Sequence, residues 1–164
     1  MALREDALYA SYRRLEKPLF NVLYRQLWQT QDCQDLIHDA YLRIWERREN
    51  VEPPTLDALV WTTALNLAKN RLRWRALRRF EPLSEETGMP AEQGEQDFLA
   101  TRQLHRALRQ LPRVSQQVLL LSEFSGLRDA EIAGVLGIPA GTVASRKHAA
   151  RARLKELMEL TIHA

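Results

Sequence analysis

Six cationic side chains fall within eleven residues, at Lys69, Arg71, Arg73, Arg75, Arg78 and Arg79, with no acid among them. Like charges held this close repel unless an anion neutralises them, which points to a polyphosphate partner. The plainer alternative is an exposed helical end whose cations favour the C-terminal dipole. Trp74 sits inside the run, placed either to stack on an unpaired base or to pack as tryptophans on helices do. A second set follows near the C-terminus: Thr142, Ser145, Arg146, Lys147, His148 and Arg151, then Arg153 and Lys155. These side chains are donors for phosphates and base edges in a major groove, or else a solvated basic face.

The elements that must hold these residues are helices. In the second set, Ala133, Gly137 and Val143 stand where a helix-turn-helix needs a small residue at the helix crossing, a glycine in the turn and an apolar anchor under the second helix. The spacing predicts helices over 129–136 and from Thr142 to about Leu160. Two more precede them, one marked by Phe98, Leu104, Leu108 and Leu111 and one over 114–124, closed by Gly126. In the N-terminal part, Leu36, Ile37, Ala40, Tyr41, Ile44 and Trp45 predict a helix from about Cys33 to Glu49, capped by Asp32. Leu3 to Trp28 has helical spacing interrupted by Pro18, which either starts a second helix or kinks a single one. Pro53 and Pro54 break the chain, and Thr55 caps a last helix running to about Arg79. No strand pattern occurs, so the fold class is all-α: two small helical domains, the first a bundle of three or four helices, joined by a flexible acidic linker.

Charge distribution gives the same division. Residues 1–80 carry 14 basic and 10 acidic side chains, residues 81–101 none and six, and residues 102–164 ten and five. The modest overall balance of +3 therefore hides two basic lobes behind an acidic stretch rich in Pro and Gly. Domains are expected at 1–80 and 97–164, with a linker at 81–96. The longest run without a polar side chain is ten residues, far below the roughly 18 a membrane span needs. With no apolar leader segment at its start, the chain is expected in the cytoplasm with no membrane insertion. The four histidines show no metal-ligand spacing and no phosphate-cradling glycine loop occurs, so no catalytic group, metal or cofactor is expected. Cys33, the single cysteine, is a structural thiol or, if its pKa is lowered at a helix start, an oxidant sensor.

Several segments together resemble one family. ALRQLPRVSQQVLLL from Ala107, then Gly126-Leu127 and the stretch from Glu131 through Arg146, are similar to region 4 of extracytoplasmic-function (ECF) sigma factors of the sigma-70 type. DLIHDAYLRIW over Asp35–Trp45 resembles that family's region 2.2, and ALNLAKNRLR over Ala64–Arg73 the stretch that meets the minus-10 element. The resemblance implies a region 2 helical bundle and a region 4 helix-turn-helix in a protein without catalytic groups. It implies binding to core RNA polymerase and direction of that enzyme to promoter DNA, with a cognate anti-sigma factor as inhibitor.

The resemblance also implies residue roles. Asp35, His38, Asp39, Arg43 and Trp45 would contact the polymerase clamp, Trp45 being equally readable as core. Asn66, Lys69, Asn70, Arg71 and Arg73, with Trp74, would lie near the melted minus-10 strand. Thr142, Ser145, Arg146, Lys147, His148 and Arg151 would face the minus-35 duplex. Relatives commonly carry a basic residue where this chain has Ala144 and Ala149, and an aliphatic one where it has Lys147, so the base contacts are redistributed here. Relatives also often have a capping Ser or Thr where this chain has Arg128, which leaves Asp129 as the expected cap of the helix over 129–136. Two other readings stand beside this one: a conventional regulator that binds duplex DNA alone as a dimer, and an adaptor whose helices serve only as docking surfaces.

Overall fold

A computed structural model describes residues 2–78 and 95–163, with side chains up to residue 78 and again over 99–160. The chain divides into two compact units, Met1–Thr87 and Gly88–Ala164. The acidic segment read as a tether falls on residues outside those described, apart from its end, where a helix already begins at Glu95. Among the described residues every regular element is helical. None of these helices is long and apolar enough to cross a membrane.

The N-terminal unit packs three long helices: α1 (Glu5–Leu27), α2 (Thr30–Glu46) and α3 (Leu56–Arg78), with short 3-10 turns at Arg48–Asn50 and Pro53–Thr55. Apolar residues every three or four positions give each helix one inward stripe. Leu19, Val22 and Leu23 of α1, Ile37 and Ala40 of α2, and Val60, Trp61 and Ala64 of α3 meet in a fully enclosed core. Pro18 neither starts nor breaks a helix but lies inside α1, so the bundle has three helices. Proline lacks the N–H that would bond four residues back and its ring crowds the carbonyl there, and the buried Leu19, Val22 and Leu23 that follow hold the helix together across that gap. α1 stops at Trp28, whose left-handed backbone (φ 56°) lets its N–H reach the Tyr24 carbonyl at 2.7 Å.

Two expected caps take other partners. α2 starts at Thr30, placing Asp32 in its first turn, and Asp32 accepts from Arg75 across the bundle. The Thr55 hydroxyl donates back to the Glu52 carbonyl at 2.8 Å, inside the 3-10 turn. α2 also ends at Glu46, short of Glu49, where the chain tightens into 3-10 geometry. On α3 the last buried residue is Ala68; the ten positions that follow are half-buried or exposed.

Two buried groups have their acidity displaced. Burial pushes the Cys33 thiol from 9.0 up to about 12, the neighbouring Asp32 carboxylate adding to the effect. This is opposite to the lowered pKa an oxidant sensor needs. Burial likewise raises the Tyr41 phenol from 10.0 to about 12. Ser11 Oγ, 3.0 Å from the Tyr41 oxygen, donates to Asp57 at 2.8 Å, and Asp57 in turn pairs with Arg14 at 3.1 Å, tying the three helices together. Both raised values favour the folded state below the pH at which the unfolded chain ionises. Their contribution is therefore complete below about pH 9 and is lost as pH climbs toward about 12. A urea midpoint followed by tryptophan fluorescence is expected to fall steadily over that window, and Tyr41→Phe to flatten the part above pH 10. An aromatic disulfide reagent at pH 8 is expected to label Cys33 no faster than the unit unfolds.

The C-terminal unit holds α4 (Glu95–Gln110), α5 (Arg113–Phe124), α6 (Asp129–Leu136) and α7 (Ala140–His163). Leu108, Val118, Leu120, Leu121, Ile132 and Val143 form its core. Gly126 (φ 76°) and Gly137 (φ 69°) occupy left-handed turns that an L side chain resists, ending α5 and α6 where the sequence asks for breaks. After Gly137 the Ile138 N–H returns to the Ala133 carbonyl at 3.1 Å, and α7 starts at Ala140, two residues before Thr142. The cap of α6 is also not Asp129. Glu131 accepts from the Arg128 backbone N–H at 3.1 Å and from its guanidinium at 3.0 Å, contacts that hold the Glu131 carboxyl below the usual range. Asp129 is engaged elsewhere, by Lys147.

Candidate nucleic-acid interface

The cationic run on α3 is sorted by helical register into two faces. Asn66, Lys69, Asn70 and Arg73 recur at three- and four-residue steps and are all exposed, forming one outward strip that ends at Leu77. Arg71 and Arg75 turn the other way, toward Asp32 of α2. Arg75 is only 12% exposed; it donates to Asp32, to the Leu27 carbonyl at 2.8 Å and to Gln29 Oε1 at 3.0 Å. Arg71 stands 3.6 Å from the same carboxylate. Of the expected minus-10 set, Arg71 is therefore set apart from Asn66, Lys69, Asn70 and Arg73. Trp74 is 46% exposed beside the strip, its ring covered on one face by the Arg78 guanidinium at 3.7 Å.

Asn66 and Asn70 also border a groove of about 470 Å³ between α2 and α3, whose other wall carries Asp39, Arg43, Glu46 and Arg47. Side-chain amides, each both donor and acceptor, on the rim of a groove with cations nearby suit an exposed base edge flanked by phosphates.

The five residues expected to contact polymerase do not form one cluster. Asp39 and Arg43, paired at 3.2 Å, belong to the α2–α3 groove. His38 and Trp45 line a separate, mostly apolar hollow with Leu8, Tyr12, Tyr41 and Leu42. Tyr12 stacks on the His38 ring at 6.0 Å and bonds its Nε2 at 3.2 Å, while the Arg48 guanidinium covers Trp45 at 4.5 Å. Asp35, further along α2, accepts from Gln31 at 2.9 Å. Leu42 escaped the sequence reading. It is 60% exposed at the centre of this outer face, and the signal was available: an apolar residue one step out of register with the buried stripe.

In the C-terminal unit, Ser145 and His148 lie on the exposed crest of α7, with Gly141, Ala144 and Ala149 around them. Thr142 and Arg146 are half-buried on its flank, and Ser145 Oγ donates to the Thr142 carbonyl at 3.2 Å. Lys147 and Arg151 have carboxylate partners within the unit. Lys147 Nζ meets both Asp129 oxygens, at 3.0 and 3.2 Å, and Arg151 Nε meets Glu123 at 3.0 Å. Among the described residues, no cluster of three His, Cys, Asp or Glu side chains forms that could hold a metal ion.

The Sigma-70 region 2 family model matches residues 11–78, and the Sigma-70, region 4 model matches residues 101–154. This chain is a member of the ECF sigma factors of the sigma-70 family. It is 30% identical over 156 residues to the RNA polymerase sigma-E factor of Streptomyces coelicolor, covering 93% of this chain and 80% of that one. It is also 30% identical over 146 residues to the ECF RNA polymerase sigma factor SigE of Mycolicibacterium smegmatis, spanning 57% of that protein's length. As a fold, this ECF sigma factor is similar to CnrH, solved with the cytosolic domain of CnrY (TM-score 0.74, 21% identity, 96% of this chain and 90% of that one). It is likewise similar to the sigma factor RpoE solved with the anti-sigma factor NepR from Bartonella quintana (TM-score 0.70, 22% identity, 92% and 96%). The region 2 match takes in the α3 strip and both α2 faces, and the region 4 match takes in α5, α6 and the crest of α7.

Proposed function

We infer that this ECF sigma factor serves as an alternative sigma factor, binding core RNA polymerase and directing it to promoters through two DNA-reading surfaces carried on separate units. The observation that carries this reading is the placement of one amide-and-cation strip on α3 and one donor-bearing crest on α7, each in a unit of its own. Asn66 and Asn70 read base edges of the opened minus-10 strand while Lys69 and Arg73 hold its phosphates and Trp74 offers a stacking face. Thr142, Ser145, Arg146 and His148 meet the minus-35 duplex. Residues 81–96 serve as the linker between domains at 1–80 and 97–164. Each surface alone binds weakly; fixing both to one polymerase makes the second contact intramolecular and turns element spacing into part of specificity. The protein contributes positioning and contacts, with the chemistry of transcription left to the polymerase, and works in the cytoplasm. An anti-sigma factor would silence it by covering the same faces; the fold relative RpoE is solved in complex with the anti-sigma factor NepR.

Run-off transcription from a promoter library with purified bacterial core polymerase tests the reading. Transcripts that require this protein and share two upstream elements are expected. A protein that shifts duplex DNA alone and never binds core polymerase would instead be a conventional regulator. Within this reading, the α2 outer face docks the polymerase through Leu42, His38 and Trp45. Leu42→Asp is expected to weaken core binding at least about tenfold in a fluorescence titration, because an exposed apolar residue at the centre of a contact gives way to a buried charge. The urea midpoint is expected to stay within experimental error, since Leu42 packs little in the free protein.

A further inference from the structure

Lys147 occupies a position on α7 that a DNA-reading residue does not. Val143, four residues before it, is fully buried and Ala150, three residues after it, is nearly so; Lys147 lies on the same inward stripe. Its stem crosses toward α6, and its ammonium grips both oxygens of Asp129 in the first turn of that helix, where the dipole favours a carboxylate. Only 25% of the side chain is exposed. Ser145, His148 and Ala149, by contrast, all face solvent. The two halves of the helix-turn-helix are thus joined by a charge pair on the side of α7 away from its crest.

We propose that Lys147 and Asp129 are a positioning pair that sets how α6 and α7 cross, and that Lys147 makes no phosphate contact at the minus-35 duplex. The proposal rests on the sigma reading and refines it: it removes one residue from the reading surface and adds Asp129, on the preceding helix, as a determinant of how that surface is presented. Cations that do reach phosphates release counterions, so each contributes about 0.9 to the slope of log affinity against log salt. A cation spent on an internal carboxylate contributes nothing to that slope. The two cases differ in a quantity that a purely structural role leaves unmoved.

The test uses the full chain bound to core polymerase on a promoter selected from the library above, with affinity measured across a salt series. Lys147→Met keeps the aliphatic stem and removes the charge. Its salt slope is expected to match that of the unaltered protein, with affinity within about threefold. Asp129→Asn strands the ammonium and is expected to weaken promoter binding about three- to fivefold. The double substitution is expected to recover to within about twofold of Lys147→Met alone, since neither partner is then left unpaired. A slope lowered by about 0.9 in Lys147→Met would overturn the proposal, as would strictly additive losses in the double variant. If the unaltered protein and core form no promoter-specific complex, the sigma reading fails first, a result distinct from either of these. Thermal melts of each variant identify any loss that comes from unfolding, and the slope comparison then carries the decision.

Discussion

Asp32→Ala should lower the stability of the N-terminal unit by about 2–3 kcal/mol. The carboxylate is 18% exposed and its principal partner, Arg75, 12%, so water screens the pair only in part. Removing the acid leaves a guanidinium beside the Leu27 carbonyl and Gln29 with no counter-charge, and an uncompensated buried charge costs about 3–5 kcal/mol when burial is complete. The residual exposure discounts that figure. Replacing Asp32 and its principal partner, as Asp32→Leu with Arg75→Met, is expected to restore most of the loss, because the apolar pair strands no buried charge and the remaining partner, Arg71, is 35% exposed and reaches water. The measurement is direct, because Trp28, Trp45, Trp61 and Trp74 all lie in this unit and the rest of the chain has no tryptophan. Urea unfolding followed by tryptophan emission therefore reports the N-terminal unit alone. A loss under about 0.5 kcal/mol would place the pair among ordinary surface ion pairs.

The α3 strip carries the second large effect. Asn70→Ala removes a side chain with donor and acceptor at the groove rim, and a lost base contact of that kind costs about 1–3 kcal/mol, or roughly 5- to 150-fold in promoter discrimination. Run-off transcription is expected to fall within that range while core affinity changes less than about twofold, since Asn70 stands apart from the Leu42 face. Lys69→Ala and Arg73→Ala act differently. Each is expected to lower the salt slope of promoter binding by about 0.7, the value for a phosphate contact on a single strand, with little change in sequence preference. Loss of preference in the charge variants, or an unchanged slope, would show that the strip does not lie along the opened strand.

The sequence made the helices legible because burial imposes a period on each of them. The stripe from Leu36 to Ile44 and the turn at Gly137 are local patterns, and the structure follows both. What escaped is non-local. Asp32 reads as a cap from its neighbours alone, yet its partner Arg75 lies 43 residues away. Asp129 reads as a cap by likeness to the family's pattern at Arg128 and is taken by Lys147, 18 residues on. In each case a polar group with an ordinary local use was claimed by a stronger, oppositely charged partner brought close by the tertiary fold. Pro18 left two alternatives open, and the structure takes the single helix, because a buried helix face continues past the local breaker. In the candidate site, the cationic run on α3 is plain from its charges and Asn66 and Asn70 come in with the family resemblance, whereas the separation of Arg71 and Arg75 from the strip requires knowing where α2 begins. Leu42 was readable, as an apolar residue off the stripe, but only once the stripe was taken as one side of a packed bundle.

Beyond Ala68 nothing on α3 is buried, and polar links from Arg71 and Arg75, centred on Asp32, tie its last turns to the bundle. Amide protection should therefore drop along this helix, with the turns around Asn70 and Arg73 opening far more often than those around Trp61. If the strip meets the promoter as proposed, it would act as a semi-independent lever that re-forms around strands of differing sequence while the core below stays shut. On that reading, tolerance for imperfect minus-10 elements would be adjustable through Asp32 and its two arginines, separately from the residues proposed to read the bases.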